Sequence, residues 1–174
     1  SDVSATAGED YTATTGTAAF AVGENDKTFT VDITGDDTDE TATETYTVTL
    51  SATSGFTSTV DVATSPTGTG TITDDDASPT ISIGNVTVTE GADSTTTPAT
   101  FTISLDHPSD QDITVNYATA DDSAAQAGSG ASGGADYDQV TSTQATVSAG
   151  TTSTTVDITV NGDDTDEATE TFFV

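Results

Sequence analysis

One acidic phrase occurs twice in this chain, each time at the end of a run of alternating apolar residues. VDIT-GDDTDE-TATETYTV, from Val31 to Val48, returns as VDITVN-GDDTDE-ATETFFV, from Val156 to Val174. Any fold for this chain must therefore accommodate the phrase twice, with a carboxylate cluster in a loop between two strands. The period-2 spacing of the flanking apolar residues puts them on one strand face and leaves mostly Thr, Ser, Asp and Asn on the other.

The same alternation runs through Phe29/Val31/Ile33, Tyr46/Val48/Leu50, Phe101/Ile103/Leu105, Ile113/Val115/Tyr117 and Val156/Ile158/Val160. Clusters of Gly, Asp, Asn and Ser separate these runs, and no stretch sustains a helical apolar period over three turns. The pattern predicts an all-β fold of antiparallel strands, each with one wet face. Thr, a strand former, is abundant throughout.

The repeat is longer than the phrase. AGEDY (Ala7 to Tyr11) matches GGADY (Gly133 to Tyr137), and Tyr11 to Val48 then matches Tyr137 to Val174 with small gaps. Between the copies, GTGTITDDDASPT (Gly68 to Thr80) reads as a last strand, an acidic triplet and a short Pro-containing junction before a new first strand at Ile81. The expected boundary lies at about residue 77, giving domains 1–76 and 77–174. The copies are offset by ~125 residues, an ordinary domain size. On this reading the first copy lacks the counterparts of residues 79–132 and the second those of residues 49–76. The chain then spans about one and a half repeats of an array. Asp121 to Ala135 reads as a long Gly/Ala/Ser loop.

Composition narrows the partners. The chain has Asp+Glu 30 against Lys+Arg 1 and His 1, a formal net charge of -29. Nucleic-acid binding needs Lys and Arg to displace counterions from phosphates, so no nucleic-acid partner is expected. Anionic membrane surfaces are repelled for the same reason. No apolar run approaches the ~18 residues of a membrane span, so no direct membrane insertion is expected. Lys27 is the only side chain with a full positive charge, which argues against phosphate clamps; cations are the natural partners. Hydrophobic content of 32% is low enough that an acidic solvated tail must be considered, but the apolar residues are patterned. With no Cys there is neither a disulfide framework nor a thiolate site.

The order AG-x-DY, an apolar strand, a DD-x-x-E loop, E-T-Y/F-x-V and T-I-T-DDD resembles the Calx-beta domain over nearly the whole chain. The resemblance implies tandem immunoglobulin-like antiparallel β-sandwiches, both copies incomplete at the chain ends. The family takes its name from the regulatory region of a sodium/calcium exchanger and recurs in an integrin and in large bacterial surface and matrix proteins. In its calcium-binding members, carboxylates from several loops hold Ca2+ at one end of the sandwich. Carried over by motif, the first copy supplies Asp10, Asp36, Asp37, Glu40, Asp74, Asp75 and Asp76, with Thr38 offering its carbonyl. The second supplies Glu90 from VTEG, Asp136, Asp163, Asp164 and Glu167, with Thr165 as the carbonyl counterpart. Glu44 and Glu170, ahead of the aromatic strand position, are read as structural and left out. The first copy lacks a match to Glu90 and the second lacks the Asp triplet.

The donor chemistry points the same way. Ca2+ takes six to eight oxygens at about 2.3–2.6 Å, which clustered Asp and Glu provide without nitrogen or sulfur. Packed together without a cation, such carboxylates raise one another's pKa by repulsion. Mg2+ suits a multi-carboxylate cage less well. An EF-hand is disfavoured because no helices flank GDDTDE and its sixth loop position is not Gly. A nonapeptide β-helix repeat is disfavoured because the Gly-rich stretch occurs once. The alternative for each acidic loop is a solvated turn that keeps the surface soluble.

Other residues carry less. His107 reads as a solvated loop residue, and Tyr11 and Tyr137 as core plugs beside the ion end. Asn85-Val86-Thr87 is a glycosylation sequon, meaningful only in a eukaryotic secretory route. The Thr-rich stretches read as solvent faces of strands. The expected function is a calcium-binding structural and adhesive repeat of a large secreted or cell-surface protein, with neighbouring repeats or subunits as partners. A strand-sharing extracellular fibre and a calcium sensor are the alternatives. A two-carboxylate glycosidase is disfavoured because the chain has no Trp and no Arg.

Overall fold

The computed structural model describes residues 1, 3–51, 66–124, 136–166 and 168–174. The described residues contain no helix, and their strands pair antiparallel throughout, as the alternation predicts. The chain forms two compact units, Ser1–Ala77 and Ser78–Val174.

In the first unit β1 (Thr43–Thr49) pairs with β2 (Thr67–Thr73). The register sets Thr43, Thr45, Thr47 and Thr49 opposite Thr73, Thr71, Thr69 and Thr67. Such cross-strand pairs stabilise a hairpin-like ladder by about 0.2–1 kcal/mol each. Tyr46 faces Gly70, where an added Cβ would lie 2.2 Å from the Tyr46 ring. A glycine therefore lets the ring lie across the ladder.

The second unit holds β3 (Ile81–Ile83), β4 (Thr96–Leu105), β5 (Ile113–Tyr117), β6 (Ala120–Asp121), β7 (Thr143–Val147), β8 (Ser153–Asn161) and β9 (Phe172–Phe173). One sheet runs β3-β4-β8; β5 pairs with β7, and β6 with β9. Ala99, Phe101, Ile103 and Leu105 of β4 face inward with Val156, Ile158 and Val160 of β8. Ala145 and Val147 of β7 meet them from the other layer, with Tyr137 wholly buried. This closes a β-sandwich core. Pro98, which cannot donate to a ladder, sits in β4 beyond the short stretch paired with β3. The turn from β7 to β8 uses Gly150 at φ 72°, a conformation that favours glycine.

Two sequence expectations need correction. Phe29, Val31 and Ile33 form no strand; an isolated bridge from Ile33 to Tyr11 is all that pairs there. Counting back from GDDTDE, these residues match Val156, Ile158 and Val160, which β4 covers. The described residues of the first unit include no counterpart of β4, and Phe29 and Ile33 stay 57% and 50% exposed. Leu50 likewise falls just past β1 and is exposed.

The second correction concerns where the first copy begins. Ser4 and Ala5 donate to the Thr45 carbonyl, as Ser123 and Ala124 donate to that of Thr171. Ser4 Oγ accepts from Thr45 N at 2.8 Å, and Ser123 Oγ from Thr171 N at 2.7 Å. Counterparts of residues 123 and 124 are therefore present, within the 79–132 span read as missing. The Gly/Ala/Ser loop read over Asp121 to Ala135 lies, from 125 onward, outside the described residues.

Candidate metal centre

Asp10 is held by a tight turn. Gly8, at φ 96°, donates to the Tyr11 carbonyl at 2.9 Å, and Asp10 N donates to the Thr6 carbonyl at 3.0 Å. Thr6 N in turn donates to Asp10 Oδ2. Tyr11 then enters the core, so Asp10 is itself buried, 8% exposed. Thr12 N donates to Asp32 O, and Thr34 N to Asp10 O, which fixes this turn against the segment entering GDDTDE.

Glu40 leaves that phrase and comes back over Asp10. Together with Glu44 of β1 these residues form a group in which one carboxylate oxygen from each lies within 4.8 Å of the others. Oε2 of Glu44 is shut off from solvent. Desolvation, then the charges of Asp10, Glu44 and Asp36, and a hydrogen bond with Asp10, push Glu40 up to about 7. Like charges held in a partly desolvated place resist ionising together, and a shared proton or a cation relieves them.

Of the other acids carried over by motif, Asp36 acts on this cluster by charge. Asp36 Oδ1 accepts from Thr38 N at 2.7 Å, which orders the loop. Its charge acts on Glu40 and also on Asp76. Desolvation, and then Asp74, Asp75, Asp37 and Asp36, raise the Asp76 carboxyl above the usual range. The GEDY turn, the GDDTDE loop and the Asp triplet thus share one electrostatic field. Asp10 and Glu40 form the close-set core with Glu44; Asp36 acts on Glu40 by charge, and Asp36, Asp37, Asp74 and Asp75 act on Asp76.

The second copy repeats the backbone framework. Asp138 N donates to Thr159 O at 2.9 Å and Asn161 N to Asp136 O at 2.8 Å, matching the two bonds around Asp10. Asp163 Oδ1 accepts from Thr165 N at 2.6 Å, as Asp36 does from Thr38. The VTEG loop bearing Glu90 also comes here: an added Cβ on Gly162 would meet Ala92 O at 2.7 Å and Gly91 C at 2.8 Å. Thr97 Oγ1 donates to Glu90 O at 2.9 Å and ties that loop to β4. Asp136, Glu90 and Asp163 are half-buried, and Asp164 is exposed. Glu167 lies outside the described residues. The close-set trio of carboxylates found among the described residues is the one in the first unit.

Glu44 is the residue the sequence reading left out. Its signal was present, because Glu-Thr-aromatic follows GDDTDE in both copies. In a strand, residues two apart share a face, so Glu44 stands beside Tyr46. Tyr46 stacks on Tyr11 with centroids 4.6 Å apart, which carries Glu44 to Asp10.

The chain matches the Calx-beta domain twice, over residues 1–76 and 74–174. It belongs to the Calx-beta family. No curated protein matches it. Both matches are to a non-catalytic domain. For this Calx-beta pair the donor set decides whether a cation fits. Two oxygens each ~2.4 Å from one calcium ion lie at most ~4.8 Å apart, and one oxygen each of Asp10, Glu40 and Glu44 falls within that separation. The ligands are all oxygen and anionic, so the cluster could hold a hard cation.

Proposed function

We propose that this tandem Calx-beta chain is a Ca2+-binding structural repeat of a larger secreted or surface-exposed protein. The observation that carries the reading is the Asp10–Glu40–Glu44 group, packed closely enough to drive Glu40 to about 7. Asp10, Glu40 and Glu44 would hold the ion, with Asp36, Asp37, Thr38 and the Asp74–Asp76 triplet at its margin. In the second unit Glu90, Asp136, Asp163, Asp164, Thr165 and Glu167 would form the corresponding set. The ion would supply charge neutralisation, joining the GEDY turn, the GDDTDE loop and the triplet at one end of the unit. Binding to the native state alone would stabilise that unit by mass action.

The net charge of -29 favours cations as partners over nucleic acid or anionic lipid. Stiffened repeats suit an adhesive or matrix role, in which neighbouring repeats or subunits are the protein partners. The test is a thermal melt of the full chain in EDTA, in Mg2+ and in Ca2+, with native mass spectrometry to count ions. A rise in Tm with Ca2+ beyond that with Mg2+, with bound ion, is expected. No shift and no bound metal would overturn the reading. Affinity near millimolar would match an extracellular module, whereas submicromolar affinity would favour a calcium sensor instead.

A further inference from the structure

We propose that Asn85 is a modification site, the acceptor of a sugar joined to its side-chain amide. The inference is independent of cation binding. The chain holds four Asn residues, Asn25, Asn85, Asn116 and Asn161, and Asn85 is the one that begins an Asn-x-Thr sequence, Asn85-Val86-Thr87. The motif alone does not say which way its side chains point, and the backbone register does.

β3 pairs with β4 so that Ile81 stands opposite Leu105 and Ile83 opposite Ile103. Residues directly opposite in a ladder share a face, so Ile81 and Ile83 lie on the face that carries the buried Leu105 and Ile103. Strict alternation beyond Ile83 would aim Asn85 and Thr87 inward too. The chain changes phase instead, and Val86 and Val88 are the residues that pack against the core. A shift of one residue exchanges the two faces of a strand. Asn85 and Thr87 are accordingly both exposed. Gly84 N donates to Thr102 O at 3.2 Å and Thr97 Oγ1 donates to Glu90 O at 2.9 Å, so β4 holds both ends of the segment in this phase.

That placement is what the modification requires, because a transferase must engage the Asn amide and the Thr hydroxyl together. The reaction is a displacement at the anomeric carbon of a phosphate-linked sugar donor. A bond forms between Asn85 Nδ2 and that carbon, and the bond from the carbon to the phosphate oxygen breaks. The phosphate leaves with the electron pair, and Nδ2 gives up one proton to a base of the transferase. The donor phosphate can be linked to a lipid of the secretory membrane or to a nucleotide. A sequon read from sequence alone points to the first; one that faces outward in the folded chain is open to a soluble transferase as well.

In one arm of the test the full chain is secreted from a eukaryotic cell. In the other the folded chain is incubated with a soluble N-glycosyltransferase and a UDP-sugar. Intact mass and peptide mapping locate the sugar. N-linked sugar at Asn85 in at least one arm is expected, with Tm nearly unchanged because the attachment point faces away from the core. The arm that succeeds identifies the donor. Asn85→Gln and Thr87→Ala should each abolish the modification, whereas Thr87→Ser, which keeps the hydroxyl, should retain it; the Tm of each variant reports that it remains folded. No sugar in either arm, N-linked sugar that survives Asn85→Gln or Thr87→Ala, or a large fall in Tm on modification would overturn the proposal.

Discussion

Tyr46 lies flat on Tyr11, with ring centroids 4.6 Å apart and planes at 20°. Phe172 lies on Tyr137 in the same way, at 4.4 Å and 16°. Each stack joins the GxDY turn to the strand that follows GDDTDE, so the aromatic pair sets the spacing of the acids around it. Asp10 precedes one ring by one residue, and Glu44 precedes the other by two. Replacing Tyr46 by Leu keeps an apolar strand residue but removes the stack, worth about 0.5–1.5 kcal/mol beyond area burial. Both Tm and Ca2+ affinity should fall, whereas Tyr46→Phe should leave both nearly unchanged.

Gly70 tests the same stack from the other side. Gly→Ala substitution at a compatible site usually stabilises by about 0.4–1 kcal/mol. Here a Cβ would sit 2.2 Å from the Tyr46 ring, which is held against Tyr11 and cannot simply swing away. Gly70→Ala should therefore destabilise the first unit by about 1–3 kcal/mol. In a Tyr46→Leu background the penalty should largely vanish, and a double-mutant cycle on denaturant midpoints measures that coupling.

These relationships mark how far the sequence was legible. The second unit was readable because its alternating runs find partners: Phe101, Ile103 and Leu105 share one sheet face with Val156 and Ile158 and bury with Ala145 and Val147 in a core that exists. The run at Phe29 carries the same alternation and forms no strand. Alternation declares which face would be buried, but a strand needs a neighbour to bury it. The acidic site was legible as a set of loops, since Asp10 and Glu40 come together as the motif order implies. Glu44 was visible as a repeated motif residue but not as part of the site, because its place beside Asp10 depends on a ring stack between residues far apart in the chain. Bookkeeping of GDDTDE alone cannot reveal that contact.

Removing one carboxylate of the trio separates its two roles. Glu44→Gln keeps the shape and deletes a charge that helps push Glu40 up. Without a cation the substitution should stabilise the first unit, because like-charge repulsion falls. With Ca2+ present it should weaken binding, and the Tm gain from Ca2+ should shrink. Melts of both proteins in EDTA and in Ca2+ read the two effects independently. A loss of stability in EDTA would contradict the repulsion argument.

Proton linkage supplies the last prediction. Glu40 ionises at about 7 in the folded protein, against 4.5 for the ordinary side chain. Between these values the native state binds more protons than the unfolded one, so stability falls as pH rises. The contribution of this group is therefore fully present below about 4.5 and lost as pH passes about 7. In EDTA the first unit should lose stability across that window, and Glu40→Gln should flatten the slope. Calcium needs the ionised carboxylate, so its binding should release protons and strengthen as pH rises through the same range. Calorimetric titrations of Ca2+ in buffers of different ionisation enthalpy count those protons, and a release that persists unchanged in Glu40→Gln would assign the linkage elsewhere.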